Sequence, residues 1–243
     1  MIEQHIDIPT ADGAMNSFVV HPDEGGPFPV VLFYMDAPGK REELHDMARR
    51  IAAVGYCVVL PNLYHRRTRD FWLQERTEEN MKIMFAHMDS LTRETTLCDT
   101  QAMLDYVAQL PAADASRVGA VGYCMSGPFV VWAATAFPDR LRCIAAFHSA
   151  RMVTQQADSP HLVVQQLTCD SYFGCAEKDI WASQADMAQL EAGLQAASGP
   201  WRLEWYAGTE HGFVFPQRAI YNKAAAEQHW QRLFSQLSRC LRV

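Results

Sequence analysis

A short β-branched run, Arg117-Val118-Gly119-Ala120-Val121, stops at Gly122-Tyr123-Cys124-Met125-Ser126-Gly127 and gives way to an apolar helical segment from Pro128 to Phe137. A strand that turns into a helix over so few residues forces its turn residue into a crowded backbone conformation, and only small side chains fit on the flanks. Cys124 is that turn residue, and its side chain is expected at an exposed tip. At a helix N-terminus the backbone N–H groups and the dipole favour an anion, so a thiol there ionises more readily than a free one. The same N–H groups are suited to receive an oxyanion. The other reading of the stretch is a buried cysteine at a strand end, since cysteine is among the most buried residue types.

The rest of the chain alternates in the same way. A hairpin is expected from Ile2 through the turn Thr10-Ala11-Asp12-Gly13 to Phe18-Val19-Val20. Residues 30–35 form a continuous apolar run, as a strand buried on both faces does, and Asp36-Ala37-Pro38-Gly39 turns the chain at its end. Helical spacing over 41–54 ends at Gly55 and leads to a strand over 56–60. Residues 62–93 carry Tyr64, the cluster His65-Arg66-Arg67, Phe71-Trp72 and a helical stretch over 75–87, either roofing a pocket or forming a solvated helix with aromatic anchors. Further helices are expected over 97–110, 129–137, 180–197 and 219–241, and further strands over 143–147, 162–167 and 201–206, with loops over 168–179 and 207–215. Strand, helix, strand repeated along the chain implies an α/β fold with a mostly parallel central sheet flanked by helices, in a single domain over 1–243. In such sheets ligands bind outside the carboxyl ends of the strands, where Asp36, Cys124, His148, Asp179 and His211 all fall.

Composition removes several classes of function. A formal net charge of -7 argues against a nucleic-acid surface. The seven cysteines, Cys57, Cys98, Cys124, Cys143, Cys169, Cys175 and Cys240, include no C-x-x-C pair and are odd in number, as reduced and mostly buried thiols are. Residues 1–9 hold Glu3, His5 and Asp7 and lack the apolar segment of a secretory signal, and no run approaches a membrane span. The expectation is a cytoplasmic protein with no membrane or nucleic-acid partner, monomeric or homodimeric. His65, His87 and His161 lack metal-ligand spacing, so neither metal nor cofactor is called for.

Thiol, acid and imidazole occur in the order Cys124, Asp179, His211. Imidazole is the side chain with a pKa suited both to taking the thiol proton and to returning one to a leaving oxygen. A carboxylate fixes its tautomer and stabilises the imidazolium. Asp179 has a second reading as the N-cap of a helix beginning at Ile180, and Asp170 and Glu177 are rival acids. Glu210 adjoins His211, but adjacent side chains seldom point together. His148 is a candidate for the pocket wall.

These segments together resemble the dienelactone hydrolase family, the cysteine-nucleophile branch of the α/β-hydrolase superfamily. The resemblance rests on Phe33-Tyr34-Met35-Asp36-Ala37-Pro38-Gly39, Leu60-Pro61-Asn62-Leu63-Tyr64, the Gly122–Gly127 elbow, the segment from Gly174 to Asp179, and His211-Gly212-Phe213. It implies Cys124 as nucleophile, His211 as base, Asp179 as orienting acid, and the N–H groups of Met125 and Ala37 as oxyanion donors. It implies an acid at position 36 that modulates the thiol; the family's residue there is a glutamate, and this chain has Asp36. Dienelactone-cleaving members carry a carboxylate-binding arginine shortly after the catalytic histidine, where this chain has Phe215, and phenylalanine cannot replace a five-donor fork. Arg76, Arg93 and the Arg66-Arg67 pair are alternative cations, and Tyr34, Tyr64, His148 and Phe213 complete the candidate pocket. The implied substrate is a small ester or lactone, less anionic than dienelactone, cleaved through an acyl-thioester. The alternatives are a thioesterase or acyl-transfer enzyme on the same triad, and a non-catalytic binding or redox-responsive protein with Cys169 or Cys175 as resolving thiol.

Overall fold

The computed structural model describes residues 1–242. The chain divides into two compact units, Met1–Val118 and Gly119 onward. The first opens with the expected hairpin. Strands β1 (Ile2–Thr10) and β2 (Gly13–His21) pair antiparallel with Thr10 opposite Gly13. The turn needs Gly13, whose φ of 125° is a region L side chains rarely adopt. β3 (Phe28–Tyr34) and β4 (Cys57–Pro61) lie parallel, joined by α1 (Glu42–Ala52), and the strand order in this unit is β1-β2-β4-β3. From Pro29 to Tyr34 every residue of β3 is buried, which accounts for its unbroken apolar sequence. The 62–93 segment includes a helix, α2 (Glu78–Met88), and an aromatic cluster in which the His87 ring lies 5.2 Å from Tyr64 and 4.6 Å from Phe71. Helix α3 (Arg93–Gln109) begins before the expected residue 97, because Thr92 and Thr95 form a reciprocal capping box.

The second unit begins within β5 (Ala113–Tyr123) and continues through α4 (Gly127–Ala136), β6 (Leu141–Phe147), α5 (Pro160–Val163), β7 (Asp170–Lys178), α6 (Gln184–Leu194), β8 (Trp201–Glu210) and α7 (Lys223–Leu241). Its strand order is β5-β6-β7-β8, with β6 and β7, and β7 and β8, parallel.

Four expectations are corrected here. Residues 162–167 are not a strand: they fall in α5 and a following 3-10 turn over Val164–Gln166. Pro160 presets the helical φ in the first turn, and burial marks a single helical face, with Pro160 and Val164 buried and Leu162 46% exposed. The strand is instead Asp170–Lys178, read from sequence as a loop because of its polar ends and internal Gly174. That glycine is a packing requirement, since a Cβ there would lie 2.6 Å from the Phe147 ring. Helix α6 starts at Gln184 and not at Ile180, set by the Ser183 and Asp186 capping box. Strand β8 runs on through the expected loop as far as Glu210. Among the described residues no helix is long and apolar enough to cross a membrane.

Candidate active site

Close approach of strand to helix dictates the elbow. A Cβ on Gly122 would sit 2.4 Å from the Ser126 carbonyl oxygen, so β5 can end against the following turn only with glycine there. Cys124 takes the strained conformation, with φ of 58°. It begins a 3-10 turn over Cys124–Ser126, and α4 follows at once with Pro128 in its first turn. The expectation of an exposed thiol is wrong, because Cys124 is only 9% exposed. The chain leaving β6 packs on the elbow: the Ala150 N–H donates to the Cys124 carbonyl at 2.8 Å, and Ser149 lies where a Gly127 side chain would stand.

The acid and the imidazole arrive on consecutive parallel strands. Asp179 follows the last residue of β7 and His211 the last residue of β8. The His211 Nδ1–H donates to the Asp179 carboxylate, at 2.8 Å to Oδ2 and 3.0 Å to Oδ1. An ionised carboxylate only accepts, so Nδ1 carries the hydrogen and Nε2 is left for the thiol. Asp179 does not cap α6; its Oδ1 instead accepts the Trp181 N–H at 2.8 Å, which folds the chain sharply beside the imidazole. The rival acids have other partners. Asp170 accepts from Gln236 and Arg239, and Glu177 from the Gly208 N–H.

Electrostatics join the three groups. Burial alone would push the His211 imidazole down, but the negative charge of the Cys124 sulfur and the hydrogen bonds to Asp179 and Cys124 outweigh it and carry the group up to about 10. The charged form of His211 is therefore favoured at neutral pH while the sulfur is a thiolate. The two candidate resolving thiols differ. Burial pushes Cys169 up to about 11 and Cys175 up to about 12, so neither shares this activation.

His148 lies beside His211, with ring centroids 5.0 Å apart at 72°. It is fully buried, has φ of 37°, and its N–H donates to the Gly174 carbonyl at 2.7 Å. Burial, then the neighbouring charge of His211, hold it well below the usual histidine range, so it is neutral. Phe213 and Phe215 are core side chains behind these imidazoles, both packed edge-on against His148. Two residues at this centre escaped the sequence reading. Trp181 turns its indole toward His211, with ring centroids 6.5 Å apart, and Arg218 stacks its guanidinium 4.3 Å from the centre of the Phe215 ring. Only their short separation from Asp179 and His211 along the chain hinted at either.

In the first unit Asp36 is fully buried, and Arg41 donates to it at 2.5 Å and 3.3 Å while also reaching Glu43. The Tyr34 hydroxyl pairs with Thr100 Oγ1 at 2.6 Å, and burial raises its pKa. The Tyr64 hydroxyl donates to the Ala37 carbonyl at 2.8 Å. Arg66 is held by Asp12 and Asp99. Arg76 is exposed, and Arg93, at the start of α3, keeps a buried Nε without a hydrogen-bond partner among the described residues. No cluster of potential metal ligands occurs among the described residues.

Comparison with known proteins places this chain. The model of the dienelactone hydrolase family matches residues 15–241. A Synechocystis sp. protein assigned as a carboxymethylenebutenolidase is 26% identical over 236 residues, covering 94% of this chain and 93% of its own length. Among solved structures, a protein assigned as a dienelactone hydrolase from Klebsiella pneumoniae subsp. pneumoniae superposes with a TM-score of 0.86 at 22% identity, covering 98% of each chain. The dienelactone hydrolase-like promiscuous phosphotriesterase P91 from metagenomic libraries superposes with a TM-score of 0.81 at 18% identity, covering 98% of each chain. These likenesses give the α/β-hydrolase fold.

Proposed function

The chain belongs to the dienelactone hydrolase family and is a hydrolase of esters or lactones; we propose that it cleaves small substrates of this kind through Cys124, His211 and Asp179. The observation that carries the reading is the Asp179–His211 hydrogen bond of 2.8 Å joined to a cysteine held at positive φ on a strand-to-helix turn. The Cys124 thiolate attacks the carbonyl carbon, and the Met125 N–H beside it donates to the developing oxyanion. As the tetrahedral intermediate collapses, the C–O bond breaks and His211 Nε2 gives its proton to the departing oxygen.

The same step readies the second half-reaction. Once the sulfur is acylated it no longer carries the negative charge that held His211 up. The imidazole, now neutral and still oriented by Asp179, takes a proton from water as that water attacks the thioester. The free acid and the thiolate–imidazolium pair are regenerated.

The test is intact-mass measurement during reaction with activated esters and small lactones, comparing wild type with Cys124→Ala. A transient acyl adduct confined to wild type, with turnover, is expected. Turnover by Cys124→Ala at the wild-type rate overturns the assignment.

A further inference from the structure

Ile180 and Trp181 are out of keeping with their surroundings. Residue 180 is 87% exposed and residue 181 is 50% exposed, whereas the next residue, Ala182, is buried. A lone exposed apolar side chain needs no explanation, but two consecutive large ones on a constrained turn do. Their backbone is fixed by the acid itself, since the Asp179 Oδ1 that accepts from His211 also accepts from the Trp181 N–H. The indole is thereby presented to the His211 ring at 6.5 Å and 64°.

We infer that Trp181 forms the subsite for the alcohol side of the substrate, selecting esters whose leaving group is apolar and bulky, alkyl or aryl. This rests on the reading of Cys124 and His211 given above. In that chemistry the atom His211 must reach is the departing oxygen, so the carbon attached to that oxygen begins next to the imidazole and what adjoins the imidazole adjoins the leaving group. A leaving group that covers the indole removes apolar surface from water as the substrate binds, and keeps it removed in the transition state. The acyl chain is bonded on the other side of the carbonyl carbon and gains nothing from this surface.

Two ester series separate these positions: methyl, butyl and benzyl esters of one short acid, and methyl esters of acids of increasing length. Wild-type kcat/KM is expected to rise from methyl to benzyl alcohol. Trp181→Ala leaves the backbone N–H in place, and is expected to lower the ratio of benzyl to methyl kcat/KM about tenfold, the worth of a few lost methylene contacts. Trp181→Phe is expected to restore most of the benzyl preference. Equal losses on methyl and benzyl esters, or losses that follow the acyl series, overturn the inference. So does a light-scattering result in which Trp181→Ala and Ile180→Ser turn a dimer into a monomer with the alcohol series unchanged, since the surface would then be covered by a second copy. If wild type forms no adduct and hydrolyses none of these esters, the reading of the catalytic centre fails, and this inference falls with it.

Discussion

Asp36 and Asp179 are both buried aspartates a residue or two past the end of a strand in an α/β fold, yet they serve different structures. Asp36 is held by the Arg41 guanidinium, which also ties down Glu43, in a knot made within the turn and the start of α1. Asp179 instead accepts from an imidazole and from a backbone N–H two residues on. Facing a permanent cation, a carboxylate is a fixed structural charge, because the guanidinium cannot give up its proton. Facing an imidazole, it belongs to a system that can move a proton, because the partner titrates.

The sharpest break of this comparison is His211→Ala, expected to lower kcat/KM by on the order of 10⁴-fold or more with the far-UV circular dichroism unchanged. Retention of most activity would remove the proposed base. Asp179→Asn keeps the shape and loses the charge, and should cost on the order of 10³-fold in kcat, with a matching drop in the apparent pKa of His211 by NMR titration. Arg41→Met tests the other carboxylate: stripping a guanidinium from two buried acids is expected to destabilise by about 3 kcal/mol in urea unfolding. A loss below about 1 kcal/mol would show that the knot is not a buried ion pair of consequence.

A further effect is in pH dependence. His211 is raised above its unfolded value of 6.5, so its contribution to stability is fully present below that value and is lost as pH rises through about 10. The urea midpoint of wild type minus that of His211→Gln should therefore shrink between those limits. A difference constant with pH would mean that the imidazolium is not held by its neighbours.

Much of the fold could be read from residue order. The N-terminal hairpin, the apolar β3, α1 with its closing glycine, and the elbow were all marked by period, turn residues or glycine spacing. In the β7 region two sequence signals conflict. Leu162-Val163-Val164 has strand composition but follows a proline in a short helix, while Asp170–Lys178 carries a glycine that its strand neighbour demands. Asp179 was nevertheless placed at a strand end, because either assignment brought the chain to the same end of the sheet. Residue order leaves Cys124 open between an exposed tip and a buried strand end, since the segment that covers it, Ser149 and Ala150, comes from the far side of a helix and a strand.

The sequence by itself determined the alternation of strands and helices, the small residues that permit the turn at Cys124, and the order of thiol, acid and imidazole, because each is written in near-neighbour spacing. Only the tertiary structure decided which carboxylate His211 holds, that Trp181 turns toward its ring, and that His148 is kept neutral beside it. Those outcomes depend on charges and packing between strands separated by dozens of residues, which local spacing does not encode.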